Sequence, residues 1–158
     1  RVEEIARLHV DQWDAKERII DWSKTKNLQP HAVPVPLLAA ELIESIKPNE
    51  YGWFFPSAKD PSKPVSHGTL YSFVWRQRDR GVIPYATNRD LRRTFKTLAG
   101  KAGVPKEIRD RLQNHALQDV SSKHYDRWHY MVEKRAGMAK WDKFVRAMLA
   151  KKRLKAVA

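Results

Sequence analysis

Strand-forming residues are confined to one short part of the chain, residues 11–35, and this confinement sets the class of fold. Within it, Trp13 is expected on a first short strand, residues 18–22 on a second, and residues 31–35 on a return strand after a turn. Pro34 suits only an edge strand or a strand end, because proline lacks the N–H that a central strand donates. The sequence therefore predicts one small antiparallel sheet in a mainly α-helical domain, an α+β fold.

Two helices are predicted after the sheet, separated by a long loop over residues 47–65. Pro36 stands at the favoured first position of the first helix. Ser66 can cap the second helix, which Gly81 ends. Both helices are expected to direct apolar side chains inward, namely Leu38, Leu42, Ile43, Ile46, Leu70, Phe73 and Val74.

Further helix signals follow towards the end of the chain. Thr87 and Asp90 have the spacing of a capping box, which predicts a helix that runs through Leu91, Phe95 and Leu98 and stops at Gly103. Pro105 starts a short helix, and another is expected around residues 123–130. A last amphipathic helix carries an apolar stripe of Met138, Trp141, Val145 and Met148.

The length of 158 residues suits a single domain with its own core, expected to span residues 1–158. Residues 1–8 have the pattern of the last turns of a helix without a cap, so we expect a fragment whose upstream part is missing. No stretch approaches the roughly 20 apolar residues that a bilayer span needs. The chain has no cysteine, which excludes disulfides and thiolate metal sites.

Charge is distributed unevenly along the chain, whose total is +13. Residues 1–50 carry a net charge of −2, whereas the remainder carries +15. Residues 89–111 hold eight basic and three acidic side chains, and residues 134–158 hold nine and one. A single basic run is as consistent with a solvated helix face as with a binding surface. Two such runs with aromatic residues between them favour a nucleic-acid partner.

A metal site is not predicted, although His115, His124 and His129 are close in sequence. Their spacings of nine and five residues differ from the four-residue spacing that places two ligands on one helical face. A phosphate site fits better, because Arg92 lies early in a capped helix and arginine offers a planar fork to phosphate oxygens.

Five short motifs occur in a specific order along the chain. They are Arg1-x-x-Glu4-Ile5, a turn lysine before Pro30-His-Ala-Val-Pro34, Arg89-Asp-Leu-Arg-Arg-Thr94, Asn114-His115 and His124-Tyr-Asp-Arg127. Together they resemble the catalytic domain of the tyrosine recombinases, and more narrowly its phage and prophage integrase branch. The resemblance covers nearly the whole chain. It implies the recombinase catalytic-domain fold and a bacterial, cytoplasmic, nucleoid-associated protein.

The resemblance also implies an active site. Arg1 and Arg92 match the two catalytic arginines, and Glu4 matches a supporting acid. The remaining matches are Lys26 for the hairpin lysine, with Lys24 as the alternative, His115 for the histidine of a Gly-His pair, and Tyr125 for the nucleophile.

Two positions depart from the family pattern. Asn114 replaces glycine, which is mild because asparagine also tolerates a left-handed helix end. Arg89 stands where the family usually has histidine, and arginine does not exchange protons near neutral pH. It can still donate hydrogen bonds to a phosphate, so we count it with the candidate site.

The implied reaction is site-specific DNA recombination through a 3′-phosphotyrosine intermediate, without ATP, metal or any other cofactor. The implied partners are double-stranded DNA and further copies of the chain in a tetrameric synapse, and no membrane. In this family the last helix often docks on a neighbouring protomer. Its apolar stripe therefore either contacts another copy of the chain or packs on the domain's own core. A catalytically decayed DNA-binding module and an RNA-binding or ribosome-associated domain remain as alternative functions.

Overall fold

Three antiparallel strands form the only sheet in the part of the chain that the computed structural model describes, residues 1–23, 30–115 and 129–157. The strands are β1 (Trp13–Asp14), β2 (Ile19–Trp22) and β3 (His31–Pro34), in the order β1-β2-β3. Trp13 pairs with Ile20, and Trp22 pairs with His31. Pro34 ends the edge strand β3, as its missing N–H requires. The predicted α+β composition is therefore confirmed, whereas the recombinase fold itself remains an expectation.

Six helices accompany this sheet in the described ranges. They are α1 (Val2–Ala6), α2 (Leu37–Ser45), α3 (His67–Asp79), α4 (Asn88–Lys101), α5 (Lys106–Leu112) and α6 (Met131–Val157), with a 3-10 turn at Val10–Gln12. The predicted caps at Ser66 and Thr87 are confirmed. Pro36 and Pro105 are cap residues just before their helices rather than first helical residues. The helix expected around residues 123–130 falls largely outside the described ranges.

Two hydrophobic clusters form the core. The first joins the sheet, α2 and the loop that follows, and its buried members include Leu8, Ile20, Trp22 and Phe54. The second joins α4, α5 and α6 around Ala99, Val104, Ile108 and Leu112. Val33 of β3 packs against both clusters, so the sheet connects the two halves of the domain.

Helix α6 packs closely on α5, and this packing covers part of its apolar stripe. A Cβ atom on Gly137 would lie 3.0 Å from Val104 and 3.2 Å from Ile108, so glycine permits this close approach. Met138 and Trp141 pack against the second cluster, which favours the own-core reading for these two residues. Met148 is 43% exposed.

Two apolar residues expected inside are exposed instead, which corrects the sequence prediction. They are Leu42 on α2 and Phe73 on α3. The buried residues of α2 and α4 are the small Ala40 and Ala99, because these positions face the two hydrophobic clusters. Helix α3 contributes no buried residue and packs mainly on α1. None of the described helices is long and apolar enough to cross a membrane.

Candidate active site

Two arginines that are distant in sequence meet beside one carboxylate. Arg1 caps α1, and its guanidinium Nη1 lies 3.3 Å from Oε1 of Glu4, one turn later. Burial lowers the pKa of Arg92 on α4, the positive charge of Arg1 lowers it further, and Glu4 opposes this shift. The fold therefore places Arg1, Glu4 and Arg92 within electrostatic reach of one another.

Gln113 holds Arg92 through a reciprocal pair of hydrogen bonds. The Arg92 Nη2 donates to the main-chain oxygen of Gln113, and the Gln113 Nε2 donates to the main-chain oxygen of Arg92 at 2.7 Å. Gln113 is 7% exposed, so water does not compete for these bonds. This pair ties α4 to the end of α5, two residues before His115.

The turn after α5 sets the position of His115. Asn114 has a φ of 49°, in the left-handed region predicted for it. The His115 N–H donates to the Asp110 carbonyl at 3.0 Å and the Asn114 N–H to the Arg111 carbonyl at 3.1 Å, which is the Schellman pattern of helix ends. The left-handed turn at Asn114 thus ends α5 and fixes the position of His115 just beyond it.

The ring of His115 lies against a carboxylate shared with a lysine. Its Nδ1 is 3.1 Å from Oδ1 of Asp110, and the Lys96 Nζ is 2.5 Å from that same oxygen. Burial would raise the pKa of Asp110, but the hydrogen bonds from Lys96 and His115 outweigh it and lower that pKa. Asp110 is therefore a carboxylate at neutral pH.

Arg89 stands at the start of α4, just inside the capping box. Asp90 Oδ2 accepts from the Thr87 N–H at 2.9 Å and from its hydroxyl at 2.7 Å. Arg89 is exposed and makes no hydrogen bond or ion pair within the described residues. Because spacings of three and seven residues share a helical face, Arg89 lies on the same face of α4 as Arg92 and Lys96.

Other predicted site residues lie outside the described ranges. They are Lys26, its alternative Lys24, and Tyr125. His124 of the histidine group is also outside. Within the described residues, no group of three or more metal-ligating side chains converges.

Sequence reasoning assigned no role to two buried polar residues near the site. His31 on β3 is 8% exposed, and its Nε2 is 3.3 Å from the Leu112 carbonyl oxygen. Burial, followed by the charge of Lys134, lowers the pKa of His31 to about 4. Lys134 on α6 is 9% exposed and donates to the Ala32 carbonyl at 3.1 Å. The motif at residues 30–34 includes His31, but nothing in the pattern signalled its burial.

A groove with a volume of about 330 Å³ opens between α3 and the start of α4. One face of α3 lines it with Tyr71, Trp75 and Arg78, and Asn88 lines the opposite side. The Arg78 guanidinium lies 3.9 Å from the centre of the Tyr85 ring. Exposed aromatic and basic side chains therefore border the helix that carries Arg89 and Arg92.

The comparison with known proteins found one significant similarity. The chain is similar to a prophage integrase. It is 26% identical over 144 residues to prophage integrase IntA of Escherichia coli strain K12, a match that covers 90% of this chain and 34% of the integrase. The chain thus spans about a third of the length of this curated relative. No family model and no solved structure matches the chain significantly.

Proposed function

We propose that the chain is the catalytic part of a tyrosine-type site-specific recombinase, which cuts and rejoins DNA strands through a 3′-phosphotyrosine intermediate. The observation that carries the proposal is the approach of Arg92 to Arg1 and Glu4, with Gln113 linking Arg92 to the turn of His115. The two guanidinium groups repel each other, and the opposing effect of Glu4 on Arg92 is smaller than that of Arg1. A phosphodiester bound beside both arginines would offset the remaining repulsion. The similarity to a prophage integrase supports the same conclusion.

In the proposed reaction, the Tyr125 oxygen attacks a DNA phosphorus atom and the bond to the 5′ oxygen breaks. Arg1 and Arg92 stabilise the negative charge that builds on the non-bridging oxygens. Lys26 gives a proton to the leaving 5′ oxygen, and His115 hydrogen-bonds the phosphate or takes the tyrosine proton. Attack by a 5′ hydroxyl reverses these steps and rejoins the DNA. The phosphotyrosine keeps the bond energy, so the proposed reaction needs no ATP. The arginines neutralise the charge that a metal ion would otherwise stabilise, so it needs no metal either.

Arg89 takes the place of a proton-exchanging group in this scheme. Its exposure and its position on the Arg92 face of α4 suit a cation that contacts the phosphate or an adjacent one. We therefore assign Arg89 to charge neutralisation.

The proposed partner is double-stranded DNA. The basic helices and the aromatic side chains of α3 provide a surface of the kind that binds phosphates and bases. The reaction needs copies of the protein on both DNA partners, in a tetrameric synapse, and the exposed Met148 and Leu149 of α6 are available for contacts between copies. A bacterial cytoplasmic protein associated with the nucleoid fits this role.

A nicked duplex tests the proposal, because cleavage near the nick releases a short strand and traps the covalent complex. The protein should become attached to labelled DNA in a form that survives SDS. Tyr125→Phe should abolish the attachment but retain DNA affinity, since only one oxygen is lost. Tyr51→Phe, at an exposed loop position, is the matched control and should behave as wild type. DNA binding without any adduct would favour the decayed-module alternative, and no DNA binding would contradict both.

A further inference from the structure

The carboxylate of Asp110 is the partner of both His115 and Lys96. The three atoms Asp110 Oδ1, His115 Nδ1 and Lys96 Nζ form a small triangle with sides of 3.1, 2.5 and 3.3 Å. Lys96 is on α4 and Asp110 is on α5, so the triangle joins two helices. Nothing in the sequence comparison with integrases assigns a role to Asp110 or Lys96.

The geometry distinguishes between the two neutral forms of the His115 ring. If Nδ1 lacked its proton, its lone pair would face the Asp110 carboxylate, and Lys96 would have to donate to both groups at once. The angle at Lys96 Nζ between these two acceptors is far narrower than the spread between the N–H bonds of an ammonium group. With a proton on Nδ1, Asp110 Oδ1 accepts one bond from each neighbour instead. The triangle therefore favours the ring with Nδ1 protonated.

Protonation at Nδ1 determines what the other side of the ring can do. Nε2 lies opposite Nδ1 and so points away from Asp110, and no described residue makes a hydrogen bond with it. The side chain of His115 is 37% exposed, which leaves Nε2 accessible. An unprotonated, accessible Nε2 accepts a proton, and once protonated it donates to an oxygen.

We propose that Asp110, held in place by Lys96, is a positioning residue that keeps His115 in the Nδ1–H form, so that its accessible Nε2 serves the reaction at the phosphate. This proposal rests on the proposed function for the identity of the reacting groups. Lys96 fixes the carboxylate by a 2.5 Å contact, and its own main-chain oxygen accepts a bond from Arg109 at 2.5 Å. The charge of Lys96 also balances Asp110, so the pair adds no net negative charge beside a phosphate.

The first test is the tautomer of His115 in the full chain, read from its ring ¹⁵N chemical shifts above the histidine titration range. Wild type should show a protonated Nδ1 and an unprotonated Nε2. Asp110→Ala should give a mixture or the opposite tautomer, and Lys96→Met should give an intermediate change because the carboxylate loses its anchor. Glu107→Ala is the matched control, since it removes a carboxylate from the same helix without touching His115. An Nε2–H form in wild type, or no change in Asp110→Ala, would overturn the proposal.

The second test is the single-turnover rate of adduct formation on nicked DNA. Loss of a carboxylate that orients a metal-ligating histidine costs about 10- to 100-fold, and by analogy Asp110→Ala should slow this reaction by a similar factor with DNA affinity unchanged. The same substitution should have little effect in a His115→Ala background, because the two residues act through one interaction. Equal effects in both backgrounds would show a merely structural role. A wild type that forms no adduct would refute the proposed function, whereas the tautomer would still decide the role of Asp110.

Discussion

At the scale of single residues, the site combines cations that destabilise one another with few anions to balance them. Arg92 is partly buried beside Arg1, and Glu4 is the anion whose field acts on it in the opposite direction. Burial and like charge both disfavour a guanidinium, which is why we propose that an external anion completes this arrangement. The hydrogen bonds with Gln113 fix the orientation of Arg92 without that anion.

Arg92→Lys should slow adduct formation by about 10²–10³-fold, the usual cost of removing one preorganised donor to a developing charge. Lysine keeps the charge but loses the planar fork and the contact with the Gln113 carbonyl. The neighbouring Arg93→Lys is the control, because Arg93 is exposed and pairs with Asp90. Single-turnover rates on nicked DNA measure both. Equal rates for the two variants would remove Arg92 from the site.

Arg89→Ala should slow adduct formation by about tenfold or more, since a hydrogen bond to a charged group contributes about 1.5–3 kcal/mol. Arg89→Lys should slow it less, because the charge remains. Arg89→His should keep activity and introduce a pH dependence near the ordinary histidine pKa of about 6.5. The Thr87–Asp90 capping box is untouched, so unfolding temperatures should barely change. Identical rates and pH profiles across the series would place Arg89 outside the site.

At the scale of helices and strands, the ends of the elements could be predicted better than their buried faces. Ser66 and Thr87 signal helix starts through local hydrogen bonds, which depend on neighbouring residues only. Which face is buried depends on distant partners, and α3 has few of them. Helical periodicity predicts that Phe73 faces inward, but it is 53% exposed because few elements pack on α3.

The candidate site also divides into residues that local sequence motifs indicate and residues whose contacts depend on distant partners. Arg1, Arg92 and His115 could be proposed from the sequence because the order of the motifs resembles a known family. Asp110, Lys96 and Gln113 could not, since their contacts with the candidate residues form only when α4 packs on α5. Exposed or ion-paired side chains of these types are common, and nothing in their spacing marks them.

His31 couples β3 to α5 and should make stability depend on pH. Its pKa falls from an ordinary 6.5 to about 4 in the folded protein, mainly through burial. The unfolded chain therefore takes up a proton that the folded protein does not, and stability should decline as the pH falls from about 6.5 to about 4. Urea midpoints between pH 7.5 and 4 should fall less steeply in His31→Gln than in wild type or in the surface control His67→Gln. Parallel profiles for all three would contradict this assignment.

At the scale of the whole molecule, the positive charge is concentrated in the part of the chain after residue 50. Residues 1–50, which supply the sheet and α2, are close to neutral at −2, while the rest carries +15. Helices α3 to α6 all belong to this basic part. A polyanion should therefore contact mainly α3 to α6, with Arg1 and Lys26 as the proposed contacts from residues 1–50.

DNA binding should weaken steeply with salt, because each neutralised phosphate releases counterions. With 6–10 phosphate contacts, affinity should fall by roughly 10³–10⁵-fold between 50 and 200 mM salt. Arg76→Gln on α3 should lower the slope of log affinity against log salt concentration by about 1, the value of one phosphate contact. Lys59→Gln in the loop before α3 should leave this slope unchanged. A flat salt profile for wild type would contradict a DNA-binding surface here.

The chemical identity of the protein–DNA bond tests the central claim most directly. Adduct trapped on nicked DNA can be digested with trypsin and nuclease, and the peptide that carries the nucleotide can be sequenced by mass spectrometry. Trypsin cuts after Lys123 and Arg127, which isolates a four-residue peptide with Tyr125 as its sole hydroxyl side chain. The account predicts a 3′-phosphate of DNA joined to Tyr125. A nucleotide on any other peptide, a 5′-phosphate linkage, or no adduct at all would contradict it.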